Sequence, residues 1–483
     1  MKITTDSFNP VLIKELRQYF HGKLFLITMC LLLLAQLGAL FIVYATLSQH
    51  HGSHDEIGII FFSSVMVMYA LASAILCGLI VIARFTQERS NPELDFTRFC
   101  AMSPLQILWG KMTSSLAIAI YLLSLCLPFF VIAYFLRGIS IFVILTTVGY
   151  AIIGTLFIIQ VSLFIGSIGQ KVLAGVLAFG SIWGGLGMIG FLIAALGQFY
   201  RYSTSDDDYI ITSLIVFFCL LLLGFIFVLN LALLSAPYAN RTLPARIYII
   251  VIALLSPLVA FGFKLANKSV PLLEIMVPTV IIFLILASCL SSFIAAFERS
   301  VIGPRVQKQC PQSPLKRFGF FLISSGSGGG LTLAWILQLI AFAIAIVTPL
   351  LTSSNNRIFN HWVTDTFILL SFGFASLFYT QIGLCIHKRF KIMPILAWLI
   401  VTVITVFLPL LFYSFLTFTF DNGDGFKVML ITTPFFLPAM DDNTATLKDL
   451  TIWILPFLSF VTFGFAFPHI REQFDSLRKS SDS

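Results

Sequence analysis

The sequence predicts an all-α polytopic membrane protein with about 12 transmembrane helices, arranged as two six-helix repeats in parallel orientation. Three observations predict it. The 483 residues are 59% hydrophobic and only 10% charged, and mean hydropathy is +1.00, whereas a soluble domain carries about 25% charged residues. Apolar runs of about 18 residues or more recur along the chain without two-residue alternation, which selects helices over a barrel. A polar segment then returns at an offset of 210 residues: Glu88-Arg89-Ser90, Cys100 and Ser103-Pro104-Leu105 reappear as Glu298-Arg299-Ser300, Cys310 and Ser313-Pro314-Leu315. Seven identities fall within 18 positions, and Arg98 meets Lys308 as an eighth match in charge. A constant offset of this kind marks an internal duplication.

Taken in order, the chain begins with a short amphipathic segment at 9–21. Asn9 can cap a helix and Pro10 suits its first position. Lys14, Arg17, Gln18 and His21 share one face by their spacing, and Val11, Leu12, Leu16, Tyr19 and Phe20 take the other. This predicts an interfacial elbow helix, with Leu12, Leu16 and Phe20 in the acyl boundary. The first apolar run, Leu24 to Leu47, is too long for a signal-peptide core, and no small-residue cleavage site ends it. It reads as the first span.

Spans follow at 24–47, 58–83, 112–136, 141–165, 172–196 and 209–235, then at 247–266, 272–296, 331–352, 364–386, 392–417 and 451–468. The halves divide as 1–236 and 237–483. Each has its repeat loop after its second span, 84–111 in the first half and 297–330 in the second. An even number of spans per repeat gives both halves the same orientation, unlike an inverted-repeat carrier. With the N-terminus inside, 22 of the 29 Lys and Arg residues fall on inner segments. That excess places both termini and both repeat loops in the cytoplasm, consistent with a bacterial inner (cytoplasmic) membrane. The net charge of +8 follows from this topology, and no nucleic-acid partner is expected.

The outer loop 418–450 contains an apolar stretch, Val428 to Met440, with two prolines and flanking aspartates. It is too short to span and reads as re-entrant or as a loop folded on the helices. In the fifth span Gly180 and Gly184 have the spacing that lets helices approach closely, a packing role. Gln36, Gln160, Asn230, Gln338 and Gln381 are uncharged polar residues within spans, suited to bonding neighbouring helices.

Catalytic and cofactor chemistry finds little footing. No acidic or basic residue lies in the middle of a predicted span, so proton-driven transport and intramembrane hydrolysis lack their usual groups. The His50, His51, His54, Asp55 and Glu56 cluster has no diagnostic ligand spacing. The eight cysteines form no CxxC pair. No GxxxxGK[ST] motif occurs, and Ser324-Ser-Gly-Ser-Gly-Gly-Gly330 has no following lysine. The chain is therefore expected to be no enzyme, to hold no metal and no cofactor, and to take energy from elsewhere.

At Glu88-Arg89, Glu93-Leu94, Ser103-Pro104 and Gly110-Lys111 the sequence resembles type-2 ATP-binding-cassette (ABC) exporter permeases, in the loop after their second span. In that family this loop carries the coupling helix that touches the ATPase, an elbow helix precedes the first span, and re-entrant helices lie between the fifth and sixth. The resemblance implies a permease with two fused halves, a cytoplasmic ABC ATPase as partner, and contacts through Glu88, Arg89, Glu93 and Arg98. Glu298, Arg299 and Lys308 would be the counterparts. A second copy of the chain or further permease or periplasmic subunits would fit the same assembly. The second loop departs from the pattern: it lacks Gly-Lys and has Lys316-Arg317 and then the glycine run. A secondary transporter or channel, and a non-transporting membrane anchor, remain as alternatives.

Overall fold

The computed structural model describes residues 9–49, 57–90, 102–136, 139–168, 206–235, 240–266, 272–298, 303–351, 357–392, 394–407 and 445–481. The predicted fifth span and its Gly180 and Gly184, the histidine cluster at 50–56, and most of the outer loop 418–450 lie outside them. So do Glu93, Arg98 and Arg299.

The chain forms two compact units, Met1–Ser235 and Ala236–Ser483. Unit one contains α1 (Pro10–Phe20), α2 (Lys23–Gln49), α3 (Ile57–Ser90), α4 (Pro104–Phe135), α5 (Ile141–Ile168) and α6 (Asp206–Leu234). Unit two contains α7 (Leu243–Ala266), α8 (Leu272–Phe297), α9 (Pro304–Gln307), α10 (Pro314–Ile323), α11 (Ser327–Leu351) and α12 (Arg357–Phe390). It continues with α13 (Pro394–Thr402), which runs on through a π turn at Val403–Phe407, and α14 (Ala445–Ser481). Every described element is helical.

Ten of these helices are long and apolar enough to cross a membrane, so the protein is an all-α polytopic membrane protein. Its outer surface agrees. Leu26, Leu34, Phe41 and Phe135 are 65–75% exposed, and apolar surface on that scale belongs in hydrocarbon rather than water. The eleventh predicted span is described only as far as Phe407.

Local chemistry explains where the helices start. Asn9 Oδ1 accepts from Val11 N at 3.0 Å and so caps α1. Ser103 and Gln106 form a reciprocal capping box at the start of α4, with Pro104 in the first turn, an arrangement that satisfies two donors a helix start otherwise leaves free. Expected boundaries shift as a result. Helix α4 begins eight residues before the predicted third span, so Gly110 and Lys111 lie inside a helix and not in a loop. Helix α14 continues through Pro456 and Pro468 well past the predicted end at 468.

The polar residues within spans act as interhelical links. Gln36 Nε2 donates to Cys126 Sγ at 2.9 Å, and Asn230 Nδ2 donates to Gln160 Oε1 at 2.9 Å. Gln338 Nε2 donates to the Leu370 carbonyl, and Thr462 Oγ1 donates to Gln381 Oε1. Such bonds hold helices together where apolar burial against lipid gives no preference.

Candidate functional site

The duplicated glutamates organise one charged cluster in each unit. In unit one Glu88 stands at the end of α3, with its side chain 14% exposed. Lys14 Nζ of α1 donates to its Oε1 at 2.7 Å, and Lys111 Nζ of α4 donates to its Oε2 at 2.7 Å. Lys111 also donates to Glu15 Oε1 at 2.6 Å, and both of those side chains are only 6% exposed. The four charges cancel, so each buried ion has an opposite partner, without which its desolvation would cost several kcal/mol.

Glycine makes the approach possible. A methyl group at Gly110 would fall 2.7 Å from Val11 Cβ, so only glycine lets α1 lie this close to α4. The Gly110-Lys111 pair thus has one residue for proximity and one for charge. Arg84 adds a further tie, stacking over the Tyr19 ring at 4.4 Å and donating to the Gln18 carbonyl at 3.1 Å. Burial holds the Tyr19 phenol above its ordinary range.

These contacts revise the expected faces of the elbow helix. Its buried stripe is Val11, Glu15 and Tyr19, spaced i, i+4, i+8, because the Glu15–Lys111 pair and Gly110 draw that side onto α4. Leu12 is half-buried, and Leu16 is partly buried against the unit's core. Phe20 stays 53% exposed and meets Phe25 edge-on at 5.2 Å.

In unit two the equivalent Glu298 closes α8 and is buried at 6% exposure. Its cation is Arg246, from the first turn of α7, which is fully buried. Arg246 donates to Glu298 Oε2. It also donates to the carbonyls of Leu322 at 3.0 Å, of Gly326 at 2.6 Å and of Ser324. Gly326 N returns a bond to Glu298 Oε2 at 3.1 Å, so one carboxylate and one guanidinium hold the Ser324–Gly326 turn from both sides.

That turn splits the helix that unit one keeps whole. After Ser313-Pro314-Leu315 the chain runs ten residues as α10, breaks, and restarts as α11. The break leaves the carbonyls that Arg246 collects. The glycine run provides space: a methyl at Gly329 would fall 2.7 Å from Arg246 Nη1, and one at Gly330 would fall 3.1 Å from Arg246 Nη2. Gly328 N donates to Gln473 Oε1 of α14 at 2.7 Å, Gln473 Nε2 donates to Ser327 Oγ at 3.1 Å, and His469 Nε2 lies 2.9 Å from the same hydroxyl. The Ser-Gly segment is a seat for an arginine and for α14.

Of the residues singled out from sequence, Glu88 and Glu298 are therefore committed internally. Arg89 lies over the Phe85 ring at 5.7 Å. Lys308, in the turn after α9, is exposed. Sequence reasoning passed over Glu15 and Arg246 as site residues. Lys111 had a signal in the Gly-Lys pair, whereas Arg246 counted only toward topology. Among the described residues no group of three or more His, Cys, Asp or Glu side chains could hold a metal. No family model, no curated protein and no solved structure matches the chain.

Proposed function

We propose that the protein is the membrane subunit of an ABC exporter, two permease halves in one chain, energised by a separate cytoplasmic ATPase. The observation that carries this reading is the mechanical connection of the first repeat loop. Glu88, at the head of that loop, is ionically tied to the elbow helix through Lys14 and to the third span through Lys111. A push on the loop from a docked ATPase would move both together, which is what coupling hydrolysis to a transport path requires. The docking surface itself falls to exposed side chains, with Lys308 and Lys316 available in the second loop. Glu88 and Glu298 transmit rather than dock.

The test is coexpression with a Walker-motif ATPase encoded beside this chain, followed by copurification and ATP turnover in lipid nanodiscs. The reading expects a stable complex whose turnover falls when Lys308 and Lys316 are changed to Glu, at unchanged membrane levels. Absence of any complex, with no ATP turnover dependent on this chain, overturns it.

A further inference from the structure

Unit two has a half-open cavity of about 490 Å³ between the end of α12 and the second half of α14, within the ~300–1,000 Å³ common for ligand sites. Its lining has two characters. Leu384, Phe465 and Pro468 form an apolar side, and His387, Lys388, Lys391 and His469 form a basic one. The change of character follows α14, which is apolar from Ile454 to Phe467 and then reads His469-Ile470-Arg471-Glu472-Gln473. The cavity therefore lies where the helix leaves hydrocarbon for the polar boundary.

Local structure holds the basic side in place. Lys391 takes a φ of 55° and its N–H bonds the His387 carbonyl at 2.9 Å, so the end of α12 turns Lys391 back beside Lys388. His387 Nδ1 bonds the Ile392 carbonyl, and His469 is fixed on Ser327. One acid, Glu472, lines the cavity. It meets Lys388 at 3.3 Å with both side chains more than 60% exposed, a pair weak enough for an incoming anion to displace.

We propose that this cavity binds a phosphate-bearing anionic amphiphile, an anionic phospholipid of the surrounding bilayer. The phosphate meets Lys388, Lys391 and the two imidazoles, and an acyl chain follows the apolar side past Phe465. Basic pockets between spans at the bilayer edge favour such head groups. Because His469 and Gln473 also bond Ser327 and Gly328, directly after the turn that Arg246 and Glu298 hold, an occupied cavity supports that turn. The inference does not depend on the nature of any energising partner.

The experiment uses the full-length, delipidated protein in non-ionic detergent, titrated with phosphatidylglycerol, phosphatidylcholine or inorganic phosphate and read by native mass spectrometry. Phosphatidylglycerol is expected to bind well above the other two. Lys388→Gln with Lys391→Asn, the asparagine chosen because it accepts positive φ, is expected to weaken phosphatidylglycerol about thirtyfold, roughly fivefold per lysine, and to leave phosphatidylcholine unchanged. Arg389→Gln, beside the cavity but not lining it, is the matched control and should change binding less than about twofold. If the double variant fails to fold, the wild type still decides: raising salt to about 1 M, where screening acts over ~3 Å, should narrow the preference for phosphatidylglycerol. Equal affinity for the two lipids, or a salt-insensitive preference, overturns the proposal. So does a double variant that binds as the wild type does. Inorganic phosphate binding as tightly as the lipid overturns the amphiphile assignment.

Discussion

The two copies of the repeated glutamate hold their surroundings by different means. Glu88 shares a cluster of four separate side chains from three helices, and part of it reaches solvent. Glu298 shares one guanidinium that is fully buried and also serves backbone carbonyls. The cations do not correspond in the duplication either. Lys111 aligns at the 210-residue offset with Phe321, and Arg246 comes from the first span of its half. Duplication preserved the anion and the Ser-Pro-Leu start, while each half found its own counter-charge. The difference teaches that the invariant element is a carboxylate at the end of the second span, and that Gly-Lys is one of two ways to hold it.

This contrast ranks the effects of substitution. The largest belongs to Arg246→Met, which leaves Glu298 buried without a cation and frees the Leu322, Ser324 and Gly326 carbonyls. Breaking a buried pair costs about 3–5 kcal/mol, so little monodisperse protein should survive solubilisation, measured by size-exclusion fluorescence. Near-normal recovery would mean the turn is held by something else. Lys111→Met takes the lysine from buried Glu15, but it frees no backbone carbonyl and Lys14 still neutralises Glu88, so it should cost less, about 3 kcal/mol at the lower end of that range. A thermal melt in detergent would show the two variants in this order, and the reverse order would break the comparison.

Steric effects come next. Gly110→Ala puts a methyl against Val11 and should cost about 1–3 kcal/mol by overpacking, read as a lowered melting temperature. Val11→Ala in the same chain removes Cγ1 at 3.0 Å but keeps the Cβ at 2.7 Å, so it should restore only a small part. Full restoration would place the clash at Cγ1 instead of at Cβ. At the small end, Glu472→Gln removes an exposed pair with Lys388. It should change stability by no more than about 1 kcal/mol, and a larger loss would show that the cavity mouth carries structural weight.

How much of this was legible follows from which residues were involved. The membrane class and most spans could be read because length and apolar continuity decide them, and Phe41 or Leu34 needs no partner to face lipid. The repeat was visible as identity at a fixed offset. The roles of its charges were not. Glu88 and Glu298 look alike in sequence, and nothing local to them tells that one meets lysines 74 and 23 residues away while the other meets an arginine 52 residues away. Glu15 was hidden for a related reason: on an amphipathic helix a carboxylate reads as solvent-facing unless its buried lysine is known. The glycine run at 326–330 resembled a phosphate loop without its lysine, and the close approach of Arg246, the Phe321 carbonyl and Gln473 explains the space it leaves.

The lysines around Glu88 also limit the charge reversal that the first loop invites. Exchanging Glu88 with Arg89 would set an arginine beside Lys14 and Lys111, so it reports on the cluster before it reports on docking. Reciprocal exchange within each cluster is the cleaner measurement. Inverting all four charges of the first cluster, Lys14→Glu, Glu15→Lys, Glu88→Lys and Lys111→Glu, keeps every contact between opposite signs, so the melting temperature should recover most of what Lys111→Glu alone loses. Glu298→Arg with Arg246→Glu keeps the pair but turns a carboxylate toward the Leu322, Ser324 and Gly326 carbonyls, which need donors. No recovery is expected there. Rescue in the first half and none in the second is the result this account predicts; equal rescue in both, or rescue only in the second, would contradict it.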